Sequence, residues 1–300
     1  MMSSSVTTNS FRAWFLAARP KTLAGAAVPV MMGLALAYYD LQRLSIVPAI
    51  LCILFAFVMQ IDANFVNDYF DYRRGTDDAE RLGPERACAQ GWITERNMLW
   101  GIAVTTLLAC CVGLPLVFYG GWWLVAIGAL CVVFCILYTT HFSYWGLGDV
   151  LVLVFFGVIP VTMTYYLQTD TITLEAFCAS VACGLAIDAL LMVNNYRDRE
   201  GDRKSRKLTI VVRVGEIWSE RLYFILGLAA CLMGIVFLVQ GRYFVFGLPF
   251  IYLVLHAKTY RQMCQINHGR ALNQILGLTA RNIFLYGLLF SLGAILDVVI

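Results

Sequence analysis

Charge is scarce in this chain. Asp, Glu, Lys and Arg make up 14% of its 300 residues, against about 25% in an average soluble domain. Hydrophobic residues make up 60%. That balance excludes a soluble globular enzyme, a disordered chain and a secreted disulfide scaffold, and leaves a membrane-embedded protein. The net charge is a mild +3, too small for a nucleic-acid binder. No C-x-x-C pair occurs, although there are 10 cysteines. Nearly all lie in apolar runs, at Cys52, Cys110, Cys111, Cys131, Cys135, Cys178, Cys183 and Cys231. They read as small packing residues and not as a disulfide or metal framework. The three histidines, His141, His256 and His268, show no ligand spacing. There is no Gly-rich phosphate loop, no nucleophile triad and no signal peptide with a small-residue cleavage site.

What is present is a series of long apolar runs. A helix that crosses the hydrocarbon core needs roughly 20 apolar residues. Runs of that kind fall at Leu23–Tyr39, Ile46–Phe65, Met98–Tyr119, Trp122–Tyr138, Val150–Leu167, Leu174–Val193, Leu222–Val239, Tyr243–His256 and Ile283–Ile300. The expected fold is an all-α polytopic membrane protein of about nine transmembrane helices, forming one domain over 1–300. With the N-terminus inside, only Arg43 and Arg242 of the 22 basic residues lie in outer loops. The positive-inside rule therefore places the N-terminus in the cytoplasm.

The sparse charge collects at two helix ends, followed by polar stretches at about 67–97 and 194–221. Helix two ends Val66-Asn67-Asp68-Tyr69-Phe70-Asp71, and helix six ends Val193-Asn194-Asn195-Tyr196-Arg197-Asp198. Four of the six positions agree. Both helices run outside to inside, so the halves form a parallel repeat around an expected central cavity. At about 100° per residue, Asn64, Asn67, Asp68 and Asp71 share one arc, as do Asn194, Asn195, Asp198 and Asp202. A carboxylate within a span costs about 2.5–3.5 kcal/mol on insertion scales, which makes it a functional candidate. Oxygen-only clusters favour hard cations, and Mg²⁺ commonly combines one or two carboxylates with substrate phosphates. Arg73, Arg74, Arg81, Arg86 and Arg96 follow the first motif; Arg203, Lys204, Arg206, Lys207 and Arg213 follow the second. Acids interleaved with such cations suit a metal-bound diphosphate. Secondary transporters also carry repeats and intramembrane acids, but their sites tend to lie at the midplane. Motifs at helix ends that run into basic loops suit a diphosphate pocket better.

These motifs resemble the UbiA superfamily of intramembrane aromatic prenyltransferases. Further marks are similar to its 1,4-dihydroxy-2-naphthoate polyprenyltransferase branch, which serves menaquinone synthesis. They are Arg19-Pro20-Lys21-Thr22, Gly75-Thr76-Asp77, Glu80-Arg81-Leu82-Gly83-Pro84, Gly146-Leu147-Gly148-Asp149, Phe155-Phe156-Gly157 and Thr164-Tyr165-Tyr166. The resemblance covers nearly the whole chain. It departs at Gly75, where the wider superfamily often has an Asp, and at Arg206, where a Gly usually precedes the Lys. The shift of the acid to Asp77 favours the naphthoate branch over the 4-hydroxybenzoate one; the alternative is a prenyltransferase of the same superfamily that acts on 4-hydroxybenzoate or homogentisate. Asp188 matches no motif and reads as a helix–helix polar contact.

The resemblance implies Mg²⁺ held by Asn67, Asp68, Asp71, Asp77, Asn194, Asp198 and Asp202, with Asp71, Asp198 and Asp202 at the centre of catalysis. It implies Arg81, Arg86 and Lys207 on the diphosphate. Tyr138, Tyr165 and Tyr166 are the aromatic residues expected to stabilise an allylic cation, and Lys21 or Arg19 is expected to hold the acceptor's carboxylate. The implied partners are polyprenyl diphosphate, 1,4-dihydroxy-2-naphthoate and the lipid bilayer, with no nucleic acid. The implied location is the bacterial cytoplasmic membrane, with the site on the cytoplasmic side.

Overall fold

The computed structural model describes residues 6–75 and 81–300. Asp77 and Glu80 lie outside the described residues. The regular elements of the described residues are all helices, with no strand. Eight helices are long and apolar enough to cross a membrane: α2 (Pro20–Leu41), α3 (Ile46–Arg74), α4 (Glu95–Gly120), α5 (Trp123–Phe142), α6 (Gly148–Thr169), α7 (Leu174–Lys204), α9 (Glu216–Val239) and α12 (Leu272–Val299). Between them stand three shorter elements, α8 (Ile210–Val214), α10 (Tyr243–Gly247) and α11 (Phe250–Ile266), and α1 (Phe11–Ala18) precedes them all.

The expected eighth span, Tyr243–His256, is the one that folds differently. It is broken into α10 and α11, with Leu248 and Pro249 between them. Proline cannot donate its backbone N–H, so the helix restarts there. The broken pair still runs the length of its neighbours. At one end Asp297 of α12 accepts from the backbone N–H groups of Phe244 and Val245, at 3.0 and 2.9 Å. At the other end Asn267 donates to Glu216, at the start of α9.

The core forms where α2, α6, α7, α9 and α12 meet. Val28, Met32 and Leu36 of α2 pack with Val161, Ala186, Tyr286 and Phe290. Small residues let α7 occupy the middle: Ala176, Ala179, Ala182, Cys183 and Ala186 are all buried. A Cβ on Gly157 of α6 would lie 2.5 Å from the Gly184 Cα, so the α6–α7 backbones touch. Close backbone approach through small residues is how helices associate when lipid is the solvent. The difference in burial between the two motif helices is large. In α7 67% of the apolar window is buried, and in α3 22%.

Both motif helices extend past their apolar runs. α3 continues to Arg74 and ends where Gly75 turns left-handed, at φ 68°. α7 continues to Lys204. The motif residues 67–71 and 194–202 therefore stand on rigid helix and not on loop. The preceding segment is also ordered. Ser10 caps α1 by accepting from the Ala13 N–H at 3.2 Å, and Ala13 and Ala17 pack on Phe65, Ala87 and Cys88. Phe11 and Phe15 of α1 stay exposed.

Candidate active site

The bundle places both acid motifs at one end. On α3, Asp68 is 1% exposed. Its two oxygens accept from the backbone N–H groups of Ala87 and Cys88, at 2.8 and 2.9 Å. Asp68 thus anchors the loop that returns after the first motif. The anchored loop brings Arg86 onto Asp71, with Nη2 2.8 Å from Oδ2. Asn67 accepts from the Thr139 hydroxyl of α5. Asn64 is turned away and donates to the Ala18 carbonyl and the Thr22 hydroxyl, at 2.9 and 3.0 Å.

On α7 the cations are local. Arg197 is 2% exposed. Its Nε and Nη2 donate to both Asp198 oxygens, at 2.7 and 2.6 Å, and Nη2 also donates to the Asn194 side-chain oxygen at 2.8 Å. A bidentate guanidinium–carboxylate pair of this kind is strong. Lys207 Nζ lies 3.5 Å from Asp202 Oδ1, while Asp202 Oδ2 is buried with no hydrogen-bond partner.

The loop after α3 joins the two faces. Asn273, at the start of α12, accepts from Arg197 Nη1 at 2.8 Å and donates to the Leu82 carbonyl, also at 2.8 Å. Gly83 then lies against the arginine: a Cβ there would be 2.8 Å from Arg197 Nη2 and 3.3 Å from Arg81 Nη2. Arg81 and Arg86 therefore reach the space between the motifs. Tyr138 reaches its edge as well, lining a cleft with Asn195 and Lys207.

Arg19 completes the group. It sits at the α1–α2 hinge in a left-handed conformation, at φ 51°, which is strained for a residue with a Cβ. That turn sends its side chain in towards Asp68, Asp71, Arg81 and Arg86. Burial, and then the neighbouring Arg86 charge, push its pKa down to about 9. Its Nη2 is buried with no hydrogen-bond partner.

Some expected residues are not brought here. Tyr165 donates to Asp40 at 2.6 Å, and Asp40 also pairs with Arg242 at 3.3 Å. Tyr166 donates to the Gly120 carbonyl at 3.3 Å. These partners stand at the turns of the opposite end of the bundle. Lys21 is exposed at the start of α2. Among the described residues, no three His, Cys, Asp or Glu side chains stand close enough to share an ion. Asp71, Asp198 and Asp202 each hold an arginine or lysine instead. Arg197 and Asn273 were not anticipated as site residues. Arg197 lies inside the quoted motif, but nothing in the sequence brings Asn273, 76 residues on, to its side.

The sequence profile of the UbiA prenyltransferase family matches residues 26–274. The chain belongs to that family. It is 34% identical, over 95% of its own length and 96% of the relative's, to the 1,4-dihydroxy-2-naphthoate octaprenyltransferase of Escherichia coli K12. It is also 34% identical to the enzyme of that name from Mycobacterium leprae, over 83% of this chain and 85% of the relative. Among solved structures, a UbiA homolog from Aeropyrum pernix K1 superposes with a TM-score of 0.71, at 15% identity, over 93% of this chain and 98% of that one. A UbiA homolog from Archaeoglobus fulgidus bound to GPP and Mg²⁺ superposes with a TM-score of 0.66, at 12% identity, over 96% and 100% of the two chains. This family member is thus an integral membrane prenyltransferase with the UbiA fold.

Proposed function

We propose that this protein transfers a polyprenyl group from polyprenyl diphosphate to 1,4-dihydroxy-2-naphthoate. Diphosphate and CO₂ leave, and the product is demethylmenaquinone in its reduced form. The observation that carries the prenyl-donor half is the pairing of two Asn-x3-Asp helix ends at one end of the bundle, with Asp71, Asp198 and Asp202 each already matched to a cation. The names of the relatives, over nearly the whole chain, support the acceptor.

The donor set fits Mg²⁺. Asn67, Asp71, Asn194, Asp198 and Asp202 offer oxygen only, and Asp202 Oδ2 is buried without a partner. The residues of each motif face, with Asp77 on the first, would hold Mg²⁺ there. When bound, it supplies positive charge to the diphosphate oxygens. Asp68 is spoken for by two backbone N–H groups and holds the loop in place.

The chain's own part follows from its ion pairs. Arg86, Arg197 and Lys207 start on carboxylates. An arriving diphosphate is a denser anion, and these cations, with Arg81 and Arg19, turn to it. The C–O bond then breaks, with its electron pair going to diphosphate. Apolar helices keep water from the allylic cation, and the Tyr138 face stabilises it. The ring carbon that bears the carboxylate attacks. The carboxylate departs as CO₂, and its bonding electrons return to the ring. No net proton is gained or lost. Arg19, half-buried with its Nη2 enclosed and unpartnered, is better placed than the exposed Lys21 to meet a carboxylate near the diphosphate. The site faces the cytoplasm of a bacterial cell, where the basic loops lie under the positive-inside rule.

The test is turnover of purified protein with Mg²⁺, polyprenyl diphosphate and 1,4-dihydroxy-2-naphthoate. The expected products are demethylmenaquinone and CO₂ in equal amounts. Product with 4-hydroxybenzoate and none with the naphthoate would overturn the acceptor assignment.

A further inference from the structure

Two carboxylates inside the bundle have no task in the steps above. Asp149 lies in the first turn of α6. Asp188 lies within α7 and is 6% exposed. Oδ1 of each is buried and has no hydrogen-bond partner among the described residues. The two stand where the start of α6 packs on α7: a Cβ on Gly148, next to Asp149, would lie 3.5 Å from Leu191 Cδ2, one turn on from Asp188. A buried acid with only a packing role looks different here. Asp62 of α3 is 1% exposed, and it accepts from the Thr105 hydroxyl at 2.5 Å and the Thr106 hydroxyl at 3.2 Å. A buried polar atom left without a partner is costly. The pair Asp149–Asp188 therefore reads as a site that awaits a donor.

Its surroundings say which donor. Tyr138 stands beside Gly148 and Asp149 at the start of α6. A cleft beside it is lined by Tyr138, Asp149, Asn195 and Lys207, and Lys207 is also the partner of Asp202. The cleft thus opens onto the second motif. Gly148 lies in ordinary packing distance of this wall, with its Cβ position 3.8 Å from the Tyr138 hydroxyl. The helices that form this wall are locally widened into π turns at Tyr138–Phe142 and Leu153–Val158, a distortion found often at functional sites.

We infer that Asp149 and Asp188 form a subsite for a ring hydroxyl of the aromatic acceptor, and act as its proton acceptor. The inference rests on the reading above that the acceptor is a hydroxylated aromatic. The hydroxyl O–H bond breaks as the ring carbon bonds to the prenyl carbon, and the proton goes to a carboxylate of the pair. The oxygen's electrons pass into the ring, which makes the attacking carbon more nucleophilic. When CO₂ departs, the electrons return to that oxygen and the carboxyl group gives the proton back. The cycle consumes no external acid, base or oxidant.

Two rates separate this role from the diphosphate chemistry. Positional isotope exchange in polyprenyl diphosphate, with Mg²⁺ and no acceptor, reads C–O cleavage alone. Transfer to 1,4-dihydroxy-2-naphthoate reads the whole reaction. Asp149→Asn and Asp188→Asn are expected to lower transfer about 100-fold or more, in the range of lost general-base catalysis, while exchange stays within about threefold of wild type. Retained exchange also shows that the variants fold. The defect is expected to shrink for acceptors whose ring substituents acidify the hydroxyl, which a packing defect would not do. Transfer within about threefold of wild type in both variants overturns the proposal, as does a parallel loss of exchange and transfer. If wild-type protein exchanges isotope but prenylates no hydroxylated aromatic, the functional reading fails first and this inference falls with it.

Discussion

The two Asn-x3-Asp helix ends carry nearly the same residues and hold them in different ways. On α3 the partners come from far along the chain. Asp68 takes the backbone of Ala87 and Cys88, and Asp71 takes Arg86. On α7 the partners are local: Arg197 beside Asp198, and Lys207 for Asp202. The reason lies in the position of each helix. α7 is central and surrounded by helices, whereas α3 is more exposed and needs a folded-back loop to build its side of the site. The one acid-to-amide difference between the motifs follows. Two backbone N–H groups need two acceptor oxygens, which Asp68 has. Among the described residues no loop backbone donates to Asn195, whose amide offers one acceptor and instead borders the cleft with Lys207.

Several substitutions test how far the two halves differ. Asp71→Ala and Asp198→Ala should each cut turnover by at least about 10³-fold, as expected for lost stabilisation of developing charge, with unchanged elution in detergent. Survival of activity in one of them would make the halves unequal in chemistry and not only in packing. Asp68→Ala should lower stability by about 3–5 kcal/mol, since two charge-assisted hydrogen bonds are lost and two buried donors stay unpaired. Asn195→Ala should cost about 1 kcal/mol. Thermal unfolding in detergent compares the two.

Gly83→Ala probes the junction between the halves. The added Cβ would press on the Arg197 guanidinium. The KM for polyprenyl diphosphate is expected to rise about tenfold with a smaller change in kcat, as for lost ground-state binding. The smallest effect belongs to the far end. Tyr165→Phe removes a hydrogen bond to Asp40 and should lower stability by about 1 kcal/mol while leaving kcat unchanged. A large loss of kcat would return Tyr165 to the chemistry that the resemblance implied for it.

The bundle itself was legible because apolar runs of membrane length leave the backbone no other way to satisfy its hydrogen bonds. The acid faces were legible because helical periodicity puts Asn67 and Asp71, or Asn194 and Asp198, on one side. Tyr165 and Tyr166 were misread as neighbours of the site because a sequence does not show depth. They sit within the same span as the Gly146-Leu147-Gly148-Asp149 motif, but at its other end. Asp188 was legible as unusual and not as half of a pair, since its neighbour Asp149 is on another helix.

The scarcity of charge determined the class of this protein, and the sorting of the few charges determined where its chemistry must lie. Those properties are local: length, hydropathy and periodicity can be read along one helix. Which carboxylate anchors a loop, which holds a cation and which is left without a partner was decided only by the tertiary structure. Each of those outcomes depends on a donor supplied, or not supplied, by a distant part of the chain, such as Ala87, Arg86 or Asn273. In a medium with so little water, the presence or absence of that donor is what separates a structural acid from a functional one.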